Sequence, residues 1–346
     1  MLEQIRTPTR ITIKDISAAA GVSTATVSRM LNAPHLVSDE IRGRIEAVIA
    51  KTGYTPNVAA RTLRARRSWT MGALVPKISS PLYARMLDAF KVALEERGYD
   101  LFVSSFDMDA PKVRARVERF VERGVDAVFV GSIEPDAAVA RLLESNGIPF
   151  VTTWLPEAAF AAPRIFYDHR AAAAKPAQYL LDLGHRHFGI VTGALTRNRR
   201  LQERYDAVVA ALIARGVDAE DIGTVDVHDY DLRSGREALR TLLRQSRAPT
   251  AVIASNDILA ARVIFECHAR QLSVPQDIPV TGFGDLDIAQ YFHPPISSVR
   301  TPRDRVGTLA AEYLLARIDK ERPSSDIQLD SEFIVRASAG IPSVVR

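Results

Sequence analysis

Apolar residues recur at helical spacing in two stretches near the start of the chain. Residues 14–20 and 38–52 each carry an apolar stripe on one face, which is typical of amphipathic helices. The stripes consist of Ile13, Ile16 and Ala20 in the first stretch and of Ile41, Ile45, Val48 and Ile49 in the second. Gly53 is placed to end the second helix, because glycine adopts the positive φ of a helix terminus without a Cβ clash.

The stretch GVSTATVSRML lies between these helices and predicts a third one. Gly21 supplies a tight turn, and the hydroxyl of Ser23 can cap the new helix by accepting a backbone N–H. The inward side would carry Val27, Met30 and Leu31, whereas the outward side would carry Ser23, Thr24, Thr26, Ser28 and Arg29. A helix, a glycine turn and a second helix with a polar outer face are typical of a helix-turn-helix. A purely structural bundle is the alternative.

After Tyr54-Thr55-Pro56 the pattern changes. VAARTLRA is too short to be stable as an isolated helix, and the arginine-rich residues after it predict a linker. From Met71 onward, helical segments alternate with the short apolar runs MGALVP, DLFVSS, AVFVG, PFVTTW, FGIVTG, TAVIAS and IPVTGF. This βαβ rhythm predicts parallel, doubly wound sheets in two lobes. We expect a helix-turn-helix domain over 1–56, a hinge helix and linker over 57–70, and a two-lobed domain over 71–346.

Composition and charge limit the classes of function that the chain can have. Of the 346 residues 47% are hydrophobic, yet no apolar run approaches the ~20 residues of a membrane span. The first residues lack a secretory signal, and Cys267 is the only cysteine, so we expect a cytoplasmic chain without disulfides or a Cys-rich zinc site. Residues 1–70 hold 11 Lys+Arg against 5 Asp+Glu, whereas the remainder is nearly neutral. A basic head predicts a polyanionic partner, with a solvated basic face as the alternative.

The head closely resembles the N-terminal domain of the lactose/galactose repressor (LacI/GalR) family. The resemblance is carried by ITIKDISAAAGVSTATVSRMLN, by VSDEIRGRIEAVIAKTGYTPNVAARTLRARRS and, in the body, by LLDLGHRHFGIVTG, ASNDILA, VPQDIPVTGFGDLD and FIVRAS. It implies an α/β protein with a helix-turn-helix head and hinge helix, followed by two doubly wound βαβ lobes of periplasmic-binding-protein type. It also implies a homodimer that binds double-stranded operator DNA and a small-molecule effector, with no membrane partner.

The resemblance places DNA contacts at defined positions. Thr24 and Ala25 begin the second helix and Arg29 follows one turn later, so these residues would read bases. Leu63 matches the hinge residue that wedges into the minor groove and kinks the duplex; packing of hinge against hinge is the alternative. The further DNA-binding residues implied are Thr12, Ser23, Thr26, Ser28, Asn32, Tyr54, Asn57, Ala60, Arg61 and Arg64.

The resemblance also places an effector between the lobes. The contacts it implies are Leu82, Tyr83, Trp154, Arg197, Arg200, Tyr230 and Asp257. The stretch TRNRRLQERY departs from the family pattern, because Leu201 stands where many members have a pocket arginine and Arg204 where they have glycine. Several arginines at the cleft favour an anionic ligand, whereas a solvated loop is the alternative. The later segments look most like the gluconate-utilisation repressor branch, which implies gluconate or a related sugar acid.

Other functions fit the sequence less well. No G-x-G-x-x-G, P-loop or G-x-S-x-G motif follows a strand, so we expect no enzyme, catalytic residue or cofactor. His185 and His187 lack an evident third ligand, so we expect no metal site. A cytoplasmic or periplasmic-type sugar-binding protein without a DNA role remains open, as does a regulator that requires a co-repressor.

The proposed wedge gives a first prediction. Replacement of Leu63 by alanine removes the apolar group that unstacks bases, so operator affinity should fall roughly tenfold and the bend should decrease. The bend can be measured by energy transfer between dyes at the ends of an operator duplex. Thr62→Ala is the matched control and should bend the duplex like the wild type. A Leu63→Ala protein that binds and bends operator normally would exclude the wedge.

Overall fold

A computed structural model of the chain describes residues 11–55, 67–106, 110–131, 137–153, 162–193, 195, 199–227 and 232–340. The chain forms two compact units, Met1–Ser68 and Trp69–Arg346, called the head and the body below. The boundary between them lies within the predicted linker. No helix among the described residues is long and apolar enough to cross a bilayer.

The head contains the three predicted helices, α1 (Ile13–Ala20), α2 (Thr24–Asn32) and α3 (Asp39–Thr52), with a 3₁₀ turn at Pro34–Leu36. Gly21 ends α1 with φ of 66°, the left-handed conformation that its sequence position predicted. The apolar stripes meet in one small core that contains Ile16, Ala20, Val27, Met30, Ile45 and Tyr54. The predicted helix-turn-helix arrangement is confirmed.

The body contains two six-stranded sheets. Sheet one has the order β11-β5-β4-β3-β1-β2, and sheet two has the order β12-β10-β9-β8-β6-β7. The strands are β1 (Thr70–Val75), β2 (Asp100–Ser105), β3 (Ala127–Val130), β4 (Phe150–Thr152), β5 (Arg164–Tyr167), β6 (Phe188–Gly193), β7 (Ile222–Val227), β8 (Ala251–Ala254), β9 (Val280–Gly284), β10 (Ser297–Arg300), β11 (Asp326–Leu329) and β12 (Glu332–Ile334).

Helices pack on these sheets to give lobe one around sheet one and lobe two around sheet two. The helices are α4 (Pro81–Glu95), α5 (Ala110–Glu122), α6 (Ala137–Ser145), α7 (His169–Asp182), α8 (Arg199–Ala214), α9 (Leu232–Leu243), α10 (Asp257–Ala269), α11 (Asp287–Tyr291) and α12 (Arg303–Ile318). The predicted βαβ architecture in two lobes is confirmed.

The chain passes between the lobes three times. It leaves lobe one at Asp168 between β5 and α7, returns at Thr301–Pro302 between β10 and α12, and leaves again at Asp330–Ser331 between β11 and β12. Because β11 pairs with β5, the last segment of lobe one extends to Leu329. Strand β12 enters lobe two as β10 leaves it, so this pair is antiparallel although parallel strands were predicted.

Lobe one depends on a close approach of α4 and α12. Gly307 on α12 lies so near α4 that an added Cβ would come within 2.2 Å of the Met86 carbonyl oxygen. Phe90 and Leu314, both fully buried, belong to the core of the same lobe. Any larger side chain at residue 307 would force the helices apart, so glycine there is a packing requirement.

In lobe two, one buried carboxylate joins α9 to α10. Glu266 is only 1% exposed, and it accepts hydrogen bonds of 2.9, 2.7 and 2.9 Å from Nε of Arg236, Arg240 and Arg270. Burial alone would raise the pKa of this carboxyl, but the three guanidiniums outweigh burial and lower the pKa to about 2. The carboxylate is therefore charged and fully paired in the folded protein.

This carboxylate predicts a pH-dependent contribution to stability. Glu266→Gln should lower the free energy of unfolding at pH 7 by about 2 kcal/mol, since charged hydrogen bonds to half-exposed guanidiniums are lost. Because the folded pKa lies below the unfolded value, the loss should shrink as pH falls from about 4.5 toward 2. Urea unfolding at pH 7 and pH 4 tests this, with exposed Glu237→Gln as the control. An equal loss at both pH values would contradict it.

Candidate functional site

Helix α2 presents a polar face to solvent. The Ser23 hydroxyl caps the helix, because its Oγ accepts the Thr26 N–H at 3.0 Å. Val27 and Met30 are buried, whereas Thr24, Ala25 and Arg29 are exposed. Ala25 and Arg29 are four residues apart and therefore lie on the same face, with Thr24 beside them at the start of the helix. The cap at Ser23 was predicted and is confirmed.

The other head residues predicted to contact DNA differ in their surroundings. The Thr12 hydroxyl donates to Oδ2 of Asp15 at 2.7 Å, and Thr26 shares a 2.8 Å hydrogen bond with Ser23. Tyr54 is only 8% exposed and packs in the core of the head, which gives it a structural role. Ser28 is half-buried and Asn32 is the last residue of α2. The predicted residues Asn57, Ala60, Arg61, Leu63 and Arg64 lie outside the described part of the chain.

A cavity of about 860 Å³ lies in the body between the two lobes. Lobe one contributes the segment from Pro76 to Tyr83 that follows β1, and lobe two contributes the start of α8 and the turn between β8 and α10. The first two crossovers contribute Tyr167, His169, Thr301 and Arg303. Since parallel strands end at the cleft in both lobes, this is where such a fold binds ligands.

Three of the predicted effector contacts line this cavity, namely Leu82, Tyr83 and Arg200. The Arg200 guanidinium donates to the Tyr83 hydroxyl and lies 5.8 Å from the centre of its ring. This contact joins lobe two to lobe one across the cavity. Predicted contacts Trp154, Arg197 and Tyr230 lie outside the described residues.

Asp257, another predicted effector contact, is buried in this structure. It stands between β8 and α10 as predicted, but its side chain is fully buried and does not line the cavity. Its carboxylate accepts hydrogen bonds from the Ser298 hydroxyl and the Leu286 N–H, and burial raises its pKa to about 6. Helix α10 is instead capped by Asn256, which does line the cavity together with Ser255. Asp257 therefore supports the cavity wall through Leu286 and Ser298, and its contact with an effector stays a prediction.

Arg204 lines the cavity although it was not among the predicted contacts. It is 7% exposed, its Cζ lies 3.8 Å from the centre of the Phe283 ring, and its Nη2 donates to Tyr167 Oη and His169 Nδ1, both at 3.2 Å. Arg200 and Arg204 are four residues apart on α8, so both project from one helical face. That spacing is present in the sequence and could have identified Arg204 as a cavity-lining residue.

His169 is neutral in this site. Burial holds its pKa well below 6.5, and the charges of Arg204 and Arg200 lower the pKa further. A guanidinium can only donate, so Nδ1 accepts from Arg204 and the ring proton resides on Nε2. His169 thus orients Arg204 without adding charge to the cavity.

The cavity wall is cationic. Arg200, Arg204 and Arg303 line it together with Lys77, and no Asp or Glu is among its described lining residues. Arg303 donates from Nη2 to the Asp285 carbonyl oxygen at 2.8 Å, and burial lowers the pKa of its guanidinium. A low-dielectric cleft with this lining attracts anions.

A helix-turn-helix head and a two-lobed body with a cavity between its lobes together define an effector-regulated DNA-binding regulator. Comparison with known families agrees with this class. Residues 12–57 match the family described as "Bacterial regulatory proteins, lacI family", and residues 177–339 match the "Periplasmic binding protein-like domain".

Similarity to individual proteins extends over nearly the whole chain. The chain is 30% identical over 330 residues to the HTH-type transcriptional repressor PurR of Serratia proteamaculans, covering 94% of this chain and 96% of that protein. It is 31% identical over 312 residues to the ribose operon repressor of Haemophilus influenzae, covering 89% and 92%. A crystal structure of the lac repressor dimer bound to operator and an anti-inducer shares the fold, with a TM-score of 0.84, 20% identity and coverage of 96% and 99%.

The chain belongs to the LacI family of bacterial transcriptional regulators. It is a DNA-binding repressor whose activity is regulated by an effector, and the relatives it matches are repressors rather than enzymes. Members of this family bind operator DNA and small molecules, usually as dimers.

Proposed function

We propose that this repressor responds to a small anion of the sugar-acid class, gluconate or a related compound. The observation that carries the proposal is the cationic lining of the cavity, where the guanidiniums of Arg200, Arg204 and Arg303 lie without a carboxylate among the described lining residues. Guanidinium groups pair with carboxylates through a planar fork of donors. A neutral sugar would leave the buried charge of Arg204 unmatched.

The remaining lining suits the polyhydroxyl part of such a molecule. Ser79, Ser80, Ser255 and Asn256 supply hydrogen-bonding side chains, and the ring of Tyr83 supplies an aromatic surface for C–H groups. The volume of about 860 Å³ is within the range of ordinary small-molecule sites. One of the relatives is named for the ribose operon, which supports a sugar-like ligand.

We also propose how the head reads its operator. Two heads of a homodimer would occupy the halves of a pseudo-palindromic site, with the domain and the hinge divided at residue 56 as the sequence predicts. Thr24 and Arg29 would hydrogen-bond base edges, and Ala25 would contact a thymine methyl group. Ser23, Thr26, Ser28 and Asn32 would contact phosphates and sugars. Effector binding would change the arrangement of the lobes and lower operator affinity.

Base recognition by Arg29 can be tested directly. Arg29→Ala should weaken binding to operator by about tenfold to a hundredfold, with a much smaller effect on scrambled DNA, because one base contact is lost. Fluorescence anisotropy at fixed salt measures both affinities. Arg42→Ala removes an equal charge from α3 and should affect both DNAs alike. If Arg29→Ala also weakens both equally, Arg29 contacts phosphate rather than bases.

The effector class is tested with the full-length protein and DNA from upstream of its own gene. Anisotropy titrations at fixed salt would be repeated with gluconate, related sugar acids and the corresponding neutral sugars. We expect one sugar acid to lower operator affinity by about tenfold to a hundredfold, which is the usual range of allosteric coupling, and neutral sugars to have no effect.

Two other outcomes would change the proposal. Tight operator binding that is indifferent to every compound would retain the repressor and reject the sugar-acid class. Stronger binding in the presence of a sugar acid would retain the class and show that the effector acts as a co-repressor.

A further inference from the structure

Arg204 makes no hydrogen bond or ion pair with a carboxylate among the described residues. Its guanidinium touches the Phe283 ring, the Tyr167 hydroxyl and the neutral His169 ring, and its buried Nε has no hydrogen-bond partner in the described part of the chain. Arg303, by comparison, is stabilised in its charged form by Asp257, Asp304 and Asp285. Among the described residues, Arg204 is thus a buried cation that is held in place by uncharged groups.

Such an arrangement is energetically unfavourable without a ligand. Arginine is almost never fully buried unless it is paired, because uncharged neighbours do not offset the free-energy cost of desolvating its charge. The pKa of the Arg204 guanidinium is accordingly lowered by burial, and the nearby charge of Arg200 lowers it further. An anion bound beside Arg204 would remove this penalty.

The position of Arg204 on α8 explains its access to the cavity. The family resemblance places a pocket arginine at residue 201, where this chain has leucine. Residues 201 and 204 are three apart on one helix, so they lie on the same face about one turn apart. Both line the cavity. An arginine at residue 204 therefore reaches the same cavity as a side chain at residue 201.

We propose that Arg204 is the specificity-determining residue of the cavity and pairs with the carboxylate of the effector. This inference rests on the proposed sugar-acid class. Phe283, Tyr167 and His169 position the guanidinium before the ligand arrives. A neutral sugar leaves Arg204 unpaired, so the site discriminates by the charge of the ligand rather than by its hydroxyl pattern.

The experiment compares the full-length wild type with Arg204→Met, Arg204→Lys and the control Arg215→Met. Arg215 is exposed just beyond α8 and pairs with Asp182 away from the cavity, so its replacement removes an equal charge. Calorimetric titration with sodium gluconate and with glucose gives the selectivity of each protein. Operator binding without ligand shows whether each variant is folded.

We expect the wild type and Arg215→Met to prefer gluconate over glucose by about a hundredfold. Arg204→Met should lose this preference and, without ligand, should unfold at a temperature no lower than the wild type, because a buried uncompensated charge is removed. Arg204→Lys keeps the charge but not the fork, so it should retain part of the preference. Unchanged selectivity in Arg204→Met would overturn the inference.

A structural role for Arg204 gives a different pattern. In that case Arg204→Met would be destabilised and Arg204→Lys would lose gluconate and glucose affinity by the same factor. The result for Arg204→Lys would overturn the inference even if Arg204→Met failed to fold.

Failure of the proposed effector class can be distinguished from failure of the proposed role of Arg204. If the wild type binds no sugar acid, sodium sulfate and sodium acetate serve as probes in thermal unfolding. Stabilisation of the wild type but not of Arg204→Met would keep the anion site while rejecting the effector class. Equal stabilisation of both proteins would reject the site as well.

Discussion

The body is organised by the three passages of the chain between its lobes. In each sheet one strand leads directly into a crossover at its carboxyl end. Strand β5 of sheet one is followed by Asp168, and strand β10 of sheet two is followed by Thr301–Pro302. The close contact of α12 with α4 through Gly307 then fixes the returning chain in lobe one. Both sheets therefore end at the same cleft, and crossover residues such as Tyr167 and Arg303 become part of the cavity wall. The site is a consequence of this connectivity, because the segments that join the lobes form part of the cavity wall.

The electrostatics of lobe two illustrate two opposite uses of buried charge. At Glu266, three guanidiniums surround one carboxylate, so the charge is compensated inside the protein and joins two helices. At Arg204, a guanidinium is surrounded by an aromatic ring, a phenol and a neutral imidazole, so its charge is not compensated there. The first arrangement stabilises the fold, whereas the second is what a binding site for an anion requires. Both lie within one lobe, which shows that composition and net charge alone cannot separate structural from functional arginines.

Much of the fold follows from local pattern. The head helices could be predicted because their apolar residues repeat with the helical period and because Gly21 and Ser23 mark a turn and a cap. The alternation of apolar runs and helices likewise predicted the two lobes. The antiparallel β12 could not be predicted, since its direction depends on which lobe the chain is leaving. The burial of Asp257 and Tyr54 could not be predicted either, because it depends on tertiary packing. The sequence alone does not determine which of several polar neighbours faces solvent or a cavity. For Arg204 the helical spacing was present, but its importance depends on Phe283 and His169, which are distant in sequence.

Two arginines on one face of α8 suggest how ligand preference can change between related proteins. A helix repeats its orientation every three or four residues, so a cation can move between residues 200, 201 and 204 while remaining in the same wall. Such a move shifts the point of attachment along the cavity by about one turn, or ~5 Å, without disturbing either sheet. A ligand of different length or charge could then be accommodated by exchange of side chains on a single element. Comparison of residue 201 alone with the equivalent residue of a relative is therefore a poor guide to the effector. Comparison of all residues on this face of α8 is more informative.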